Sequence, residues 1–254
     1  MKEKNFPGET RDDMGSLFHK LKRKSQPTCA AVIVAAGNAS RMQGVDKIMA
    51  ELGGKPVIGY TLSAFESCPL VQQVVVVTRS DLIVPIGEVC KTYGLTKVTK
   101  VVTGGEDRSH SVLIGLSEVD QAVDYIAIHD GARPFVSQQV LEDAIKMAWK
   151  TSAAAPAIPV NDTIKTAENS QVTGTPDRSK LFAVQTPQVF DADLIRGALH
   201  HCIEHHIALT DDCSAVEQIG KVVTLTEGDR RNLKITTQFD LVIGEAIAAC
   251  QDAT

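Results

Sequence analysis

The stretch CAAVIVAAGNASRM at residues 29–42 decides the fold class that the sequence predicts. It begins with eight apolar residues in succession, and a loop of small residues follows from Gly37. A continuous apolar run of this length is typical of a strand that is buried on both faces. Strands of this kind occur mainly in parallel sheets that helices cover on both sides. The stretch therefore predicts an α/β protein whose first buried strand begins at Cys29.

Downstream of this strand, the sequence alternates between further strands and helices. Short runs of β-branched and apolar residues predict strands at residues 71–78, 97–102, 124–130, 152–160 and 221–228. Apolar residues at helical spacing predict helices at residues 55–68, 81–94, 108–119, 138–150, 191–206, 211–220 and 236–250. Ser137 is expected to cap the fourth of these helices. The alternation predicts a mainly parallel sheet with helices on both faces.

The alternation breaks at Asn161. Residues 161–190 carry Thr and Val at strand-like positions, turn residues such as Gly174, and little apolar mass. A pair of strands with so little apolar surface is not stable alone, so it needs a surface to pack against. We therefore expect an extended β-arm at about residues 160–183, and a second copy of the chain is the simplest partner for it.

The N-terminal region differs from the rest of the chain. Residues 1–28 are polar and highly charged, which predicts a disordered extension. Residues 29–254 are expected to form a single domain that carries the β-arm.

Composition excludes several classes of protein. The 254-residue chain has a net charge of −5, whereas proteins that bind nucleic acid through a broad surface are usually basic, so no nucleic-acid partner is expected. No apolar run reaches about 18 residues and no secretory signal is recognisable, so we expect a cytoplasmic protein with no membrane partner. The six cysteines are scattered, which indicates free thiols in a reducing compartment.

Cations and small residues collect just after the predicted strands. In parallel sheets, ligands bind beyond the carboxyl ends of the strands, so these residues are candidates for one site. The candidates are Gly37, Ser40, Arg41, Lys47, Gly104, Gly105, Arg108, Ser111, Asp130, Arg133, Asp162, Thr163, Lys165, Asn232 and Lys234. Cations outnumber carboxylates among them, although the whole chain is acidic. A polyanionic ligand such as a nucleoside triphosphate fits this balance.

The loop after the first strand matches neither common phosphate-binding motif. It lacks the G-x-x-x-x-G-K-[ST] pattern and the G-x-G-x-x-G pattern. Its small residues would still let backbone N–H groups approach phosphate oxygens, with Arg41 and Lys47 adding charge. Taken alone, the loop is equally compatible with a solvated surface loop.

A set of motifs gives the chain a family resemblance. AAGNASRM at residues 35–42, DK at 46–47 and ELGGKPVIGYTLSAFE at 51–66 are similar to sugar nucleotidyltransferases. The resemblance narrows with VVTGGEDRSHSV at 101–112, IHDGARPF at 128–135, PVNDTIK at 159–165, QTPQVF at 185–190, LTDDCSAVE at 209–217 and NLKIT at 232–236. Together, these motifs resemble the 2-C-methyl-D-erythritol 4-phosphate cytidylyltransferase family in register over roughly residues 29–252.

This resemblance implies an activity and an architecture. It implies transfer of a cytidylyl group from CTP to 2-C-methyl-D-erythritol 4-phosphate, with release of pyrophosphate. It also implies a Rossmann-like domain, Mg²⁺ or another divalent cation as cofactor, and a homodimer joined by exchanged arms. The attacking phosphate has a second pKa of about 6 and is already anionic near neutral pH, so no side-chain general base is expected.

The resemblance also implies roles for individual residues. The catalytic cations would be Arg41, Lys47 and Lys234, and the metal contact would be Asp130. The groups that bind CTP would be Ala35, Ala36, Gly37, Gly105, Arg108, Ser111 and Asp130. The groups that bind the second substrate would be Asp130, Thr163, Arg178, Thr186, Thr210 and Asp211, with Thr163 and Arg178 acting across the dimer interface.

Two other functions share part of this pattern. A ribitol-5-phosphate or other polyol-phosphate cytidylyltransferase would have the same first loop, the HD-x-x-RP motif and QTPQ. A binding domain without activity could also keep the nucleotide-binding fold. The GG-x-x-R-x-x-SV motif at residues 104–112 and the Asp177-Arg178 pair favour methylerythritol phosphate as substrate.

Overall fold

A computed structural model describes residues 26–37 and 46–251 of the chain. Most of the expected N-terminal extension lies outside the described residues, and so does Arg41. The described strands are β1 (Cys29–Ala35), β2 (Glu51–Leu52), β3 (Lys55–Pro56), β4 (Gln73–Thr78), β5 (Val98–Thr103), β6 (Tyr125–Asp130), β7 (Ala153–Pro159), β8 (Thr166–Glu168), β9 (Gln171–Gly174), β10 (Phe182–Val184), β11 (Gln188–Asp191) and β12 (Thr224–Glu227).

Seven α-helices lie in the described part of the chain. They are α1 (Val57–Ser67), α2 (Ile83–Thr92), α3 (Arg108–Ser117), α4 (Gln138–Thr151), α5 (Ala192–Glu204), α6 (Asp212–Gln218) and α7 (Gln238–Gln251). Two short 3-10 helices, Ser80–Leu82 and Arg178–Lys180, complete the described helical elements. None of the helices that the structure describes is both long and apolar enough to span a bilayer.

The main sheet has eight strands and is mostly parallel. Its order is β10-β7-β11-β6-β1-β4-β5, and β12 also pairs with β7. The pairs β1–β4, β1–β6, β4–β5 and β7–β12 are parallel. The strands β10 and β11 are antiparallel to their neighbours. The predicted mainly parallel, Rossmann-like sheet is thereby confirmed.

Helices cover both faces of the sheet, and each face has its own apolar core. Along β1, Ala31 and Ile33 face the core that α1, α2, α4 and α7 form, whereas Ala30 and Val32 face the core of α3, α5 and α6. All four of these side chains are fully buried. The uninterrupted apolar sequence of β1 is explained by this burial on both sides.

The ends of helices α2 and α4 agree well with those predicted from the sequence. Ser137 caps α4, and its hydroxyl accepts a hydrogen bond of 3.3 Å from the Val140 N–H. Helix α2 ends before Gly94, which adopts a left-handed φ of 61°. It begins at Ile83, within the predicted range of residues 81–94. Pro85 is tolerated in its first turn, because the N–H groups there need no helical partner.

Two segments differ from the sequence prediction. The predicted helix at residues 55–68 begins only at Val57, because β2 and the preceding Lys55–Pro56 pair form a small hairpin. In addition, the stretch at residues 161–190, for which no strand of the main sheet was predicted, ends in a buried strand of that sheet. This strand, β11, lies between β6 and β7, with Val189 and Phe190 fully buried.

The expected arm contains an exposed hairpin. Strands β8 and β9 pair through Glu168 and Gln171, and every residue from 161 to 173 is exposed. The hairpin leaves the sheet after β7 and returns to it at β10. Its packing against a second subunit remains a prediction.

Candidate active site

A cavity of about 230 Å³ opens at the carboxyl ends of the central strands. Residues from the ends of β1 and β6, from the start of α3 and from two loops line it: Val34, Ala35, Ala36, Gly37, Lys47, Ile48, Gly105, Glu106, Asp107, Arg108, Ser111, Asp130, Ala132 and Lys234. All the described residues that were expected to bind CTP or to act as catalytic cations are in this set. The parallel strands bring them together, because their carboxyl ends share one edge of the sheet.

Asp130, the last residue of β6, is the centre of a cluster of cations. Its Oδ1 accepts a hydrogen bond of 2.8 Å from Arg108, and its Oδ2 lies 3.0 Å from Lys234 Nζ and 3.3 Å from Arg133 Nε. Burial would raise the pKa of this carboxyl group, but the three cations outweigh burial and hold its pKa well below the ordinary value. Asp130 is therefore ionised throughout the physiological pH range.

Arg108 joins Asp130 to a second buried carboxylate that the sequence had not identified. Its Nη2 lies 2.6 Å from Oδ2 of Asp212, whose side chain is only 2% exposed. Burial raises the pKa of Asp212, although Arg108 opposes this shift. The guanidinium therefore connects the end of β6 to the start of α6.

Thr186 and His129 form a hydrogen-bond chain behind Asp130. His129 Nε2 lies 3.2 Å from the carbonyl oxygen of Arg133, so Nε2 carries the proton and Nδ1 is an acceptor. The Thr186 hydroxyl then donates to Nδ1 at 3.0 Å and accepts a bond of 3.1 Å from the Asp130 N–H. Burial lowers the pKa of His129 to about 4, so its ring is neutral near pH 7.

The loop that carries Lys234 is fastened to the same region. Asn232 is fully buried, and its Nδ2 donates a hydrogen bond of 2.9 Å to the carbonyl oxygen of Thr186. Its own carbonyl oxygen accepts a bond of 2.7 Å from Arg133 Nη1. Gln185 adds a bond of 2.8 Å to the carbonyl oxygen of Asp229. The position of Lys234 relative to Asp130 is therefore fixed by buried polar contacts.

The opposite wall of the cavity is built from small residues and the start of α3. Asp107 caps this helix, and the Ser111 hydroxyl accepts a bond of 3.1 Å from the Gly105 N–H while donating one of 2.8 Å to the carbonyl oxygen of Asp107. A Cβ atom at Gly104 would lie 2.6 Å from Cβ of Ala36. The segment after β5, which contains Gly104, and the segment after β1, which contains Ala36, approach so closely that position 104 requires glycine.

The residues expected to bind the second substrate are more dispersed. Thr186 is buried beside Asp130, whereas Thr210 is exposed. Asp211 caps α6 through a bond of 3.0 Å from the Ser214 N–H, and its other oxygen accepts a bond of 2.7 Å from Gln188. Among the described residues that line the cavity, none belongs to the arm, where Thr163 and Arg178 are both exposed.

Sequence reasoning missed Asp212 although it lies beside a residue that was selected. The spacing D-x-x-S from Asp211 to Ser214 is a helix-capping pattern, and it assigns the Asp211 side chain to the helix end. The adjacent acid is then the one available to pair with a cation. Nothing in the sequence indicates that this cation is Arg108, because 104 residues separate the two.

The 2-C-methyl-D-erythritol 4-phosphate cytidylyltransferase family matches residues 29–249. A protein of that name from Caldanaerobacter subterraneus subsp. tengcongensis is 43% identical over 219 residues, which are 85% of this chain and 96% of the relative. One from Halalkalibacterium halodurans is 42% identical over 221 residues, covering 87% of this chain and 96% of the relative.

Solved structures show the same fold. The 4-diphosphocytidyl-2C-methyl-D-erythritol synthase of Anaerococcus prevotii is 28% identical and superposes with a TM-score of 0.79 over 88% of this chain and 96% of its own. The 2-C-methyl-D-erythritol 4-phosphate cytidylyltransferase of Thermus thermophilus is 30% identical, with a TM-score of 0.72 over 86% of this chain and 98% of its own. The sequence match over residues 29–249, on a shared fold, shows that this chain belongs to the 2-C-methyl-D-erythritol 4-phosphate cytidylyltransferase family.

Proposed function

We propose that the cavity beside Asp130 holds CTP while the enzyme transfers its cytidylyl group to 2-C-methyl-D-erythritol 4-phosphate. The phosphate of the acceptor attacks the α-phosphorus of CTP in line, so a P–O bond forms to the acceptor as the bond to the departing pyrophosphate breaks. The products are 4-CDP-2-C-methyl-D-erythritol and pyrophosphate. Family membership supports this reaction, and the cation cluster around Asp130 is the observation that carries the assignment to this cavity.

The chemical difficulty of this reaction is electrostatic, because one anion has to approach another. Lys47 and Lys234 both line the cavity and would neutralise charge as it builds up around the α-phosphorus. Arg41 is assigned the same role from the family resemblance. Lys234 contacts Asp130 at 3.0 Å, so a phosphate oxygen would compete with that carboxylate for the ammonium group.

No side chain in the described part of the cavity is needed as a general base. His129, which precedes Asp130, is fully buried, and both of its ring nitrogens already have partners within the protein. The attacking phosphate monoester is itself anionic near neutral pH. The protein therefore has to supply positioning and positive charge, and the cavity offers both.

Asp130 fits the role of a ligand to Mg²⁺. Among the residues that the structure describes, Arg108 is the one hydrogen-bond partner of its Oδ1, which leaves a second lone pair for the ion. No three acidic, histidine or cysteine side chains come together as a complete metal site in the described residues. Mg²⁺ commonly uses one or two carboxylates together with substrate phosphates, so Asp130 and the triphosphate would hold it jointly. When bound, the ion supplies charge neutralisation to the phosphate oxygens.

The wall of small residues is suited to the cytosine base. Ala35, Ala36, Gly37 and Gly105 leave backbone groups accessible at the cavity, and Ser111 and Arg108 add polar side chains at the start of α3. Hydrogen-bonding groups at fixed positions can distinguish one base from another, because a mismatched partner leaves them unpaired. We assign cytosine recognition to this wall.

The arm would complete the acceptor site of a second subunit. Thr163 and Arg178 are too exposed to form a site alone, and Arg178 Nη1 is held 2.6 Å from the carbonyl oxygen of Asn161. In an exchanged dimer, these two residues would bind the acceptor phosphate in the partner's cavity. Asp130, Thr186, Thr210 and Asp211 would then bind the sugar hydroxyls.

Pyrophosphate release tests the proposal directly. The purified enzyme is assayed with CTP, UTP and ATP, each combined with methylerythritol phosphate and with ribitol 5-phosphate. We expect the highest kcat/KM for CTP with methylerythritol phosphate. Turnover with ribitol 5-phosphate alone would replace the acceptor assignment, and failure of every combination would indicate a binding domain without activity.

A further inference from the structure

Lys47 stands in a tight turn that is held together by the residue before it. Asp46 Oδ1 accepts a hydrogen bond of 2.8 Å from the Ile48 N–H, and the Asp46 carbonyl oxygen accepts one of 2.8 Å from the Ala50 N–H. Ile48 is 2% exposed and is packed in the core on the α1 side of the sheet. Lys47 is therefore flanked by a buried apolar anchor on one side and by a carboxylate on the other.

The carboxylate of Asp46 is in turn bound to the end of β4. Its Oδ2 lies 2.5 Å from Nη2 of Arg79, the residue that directly follows this strand. Arg79 is held in place by Asp81, whose two oxygens accept from Nε at 3.0 Å and from Nη2 at 2.9 Å. The side chains of Arg79 and Asp46 are only 26% and 21% exposed, so solvent screens their pairing incompletely.

We infer that Arg79 is a positioning residue for catalysis, and that it fixes Lys47 in the cavity by binding Asp46. This inference rests on the proposed role of Lys47 at the α-phosphorus. Arg79 is not among the residues that line the cavity, so it would act through the turn and not by contact with a substrate. A displacement of a catalytic group by about 1 Å can reduce a rate by up to ~10²-fold, so a partner that fixes the Lys47 turn has a measurable effect.

A double-mutant cycle separates this role from a general contribution to stability. The variants are Arg79→Gln, Asp46→Asn and the double variant; Asp46→Asn keeps an oxygen that can accept from the Ile48 N–H. We expect each single variant to lower kcat about tenfold, since the same turn is released in both. The double variant should be no slower than the slower single one. Effects that multiply in the double variant, or an Arg79→Gln enzyme with parental kcat, would overturn the inference.

Two further variants control for charge and folding. Lys91→Gln removes a cation from a solvent-exposed pair with Glu88 on α2 and should leave kcat unchanged. Arg79→Lys should recover part of the lost rate, because it keeps a cation near Asp46. Thermal unfolding is measured for all variants. If the fraction of unfolded protein at the assay temperature accounts for the whole loss of activity, the positioning role is wrong.

Combination with Lys47→Ala separates this inference from the proposed function. If Arg79 acts through Lys47, then Arg79→Gln should cause no further loss of rate in a Lys47→Ala background. If Lys47→Ala itself has parental activity, then the proposed role of Lys47 is wrong. If Lys47→Ala is inactive while Arg79→Gln is fully active, then only the positioning role of Arg79 is wrong.

Discussion

At the scale of single residues, the two lysines of the cavity should control the chemical step. We expect Lys47→Ala and Lys234→Ala each to lower kcat by about 10²–10³-fold, the usual effect of removing one group that stabilises developing charge. Neither side chain belongs to an apolar core, and Asp130 keeps Arg108 and Arg133 as partners when Lys234 is removed, so both variants should remain folded at the assay temperature. Steady-state kinetics and calorimetry measure the two effects, with Lys150→Ala on α4 as an exposed control. Parental kcat in both variants would contradict the mechanism.

A second residue-scale prediction concerns the buried pair of Arg108 and Asp212. Arg108→Met would leave Asp212 buried without its cation, at a cost of about 3 kcal/mol near pH 7, the usual scale for breaking a buried ion pair. Lys100→Met, which breaks an exposed pair with Glu118, should cost less than about 1 kcal/mol.

The cost of Arg108→Met should depend on pH in a defined direction. The pKa of Asp212 is already raised in the folded protein and should rise further without Arg108. A group with a raised folded pKa stabilises the protein below its unfolded pKa of about 3.8, and this stabilisation is lost as pH rises through the folded value. The variant should therefore lose stability relative to the parent from pH 4 upwards. Urea unfolding at several pH values measures this difference, and a constant difference would contradict the prediction.

The cavity could be predicted from sequence where its residues come from the segments that follow predicted strands. Lys47, Arg108, Asp130 and Lys234 were selected in this way, and all four line the cavity. Asp212 and Arg79 were missed because their importance depends on pairings between distant parts of the chain. A sequence pattern shows which residues end a strand, but it does not show which carboxylate a given arginine contacts.

At the scale of elements, replacing glycine by alanine should have opposite effects on stability in helices α3 and α5. A Cβ atom at Gly115 in α3 would lie 2.5 Å from Val32 and 2.8 Å from Val77, whereas one at Gly197 in α5 would meet nothing within 4 Å. Gly115→Ala should therefore destabilise the protein by about 1–3 kcal/mol through overpacking. Gly197→Ala should stabilise it by up to about 1 kcal/mol through helix propensity. Chemical denaturation tests both, and equal effects would contradict the packing argument.

Elements with a clear periodicity were predicted, and those defined by tertiary pairing were not. The strands β1, β4, β5, β6 and β7 consist mainly of apolar or β-branched residues, so they could be recognised locally. The short strand β11 has four residues, and only three residues separate it from the exposed strand β10. It is a strand only because β6 and β7 pair with it on either side, and local sequence does not encode that.

At the scale of the whole molecule, exchanged arms predict complementation between two inactive chains. Arg178→Ala and Lys47→Ala should each be nearly inactive alone. In a mixed dimer, one cavity would combine an intact Lys47 with an intact arm from the partner. Random mixing makes half of the dimers mixed, each with one intact site of two, so we expect about a quarter of parental activity. Mixed dimers isolated with two affinity tags that have no activity would contradict exchanged arms.

The position of β11 has a consequence for synthesis of the protein on the ribosome. β6 ends at Asp130, but the strand that covers its outer edge begins only at Gln188, after β7, the arm and β10 have been made. A chain leaves the ribosome with its N-terminus first. One edge of β6 therefore lacks its final neighbour, β11, while the residues between the two strands are synthesised. If a ribosome stalls while it translates the arm, one edge of β6 stays unpaired. An unpaired apolar strand is a template for aggregation with another nascent chain. Translation of the arm is thus the interval in which a chaperone would protect this protein most.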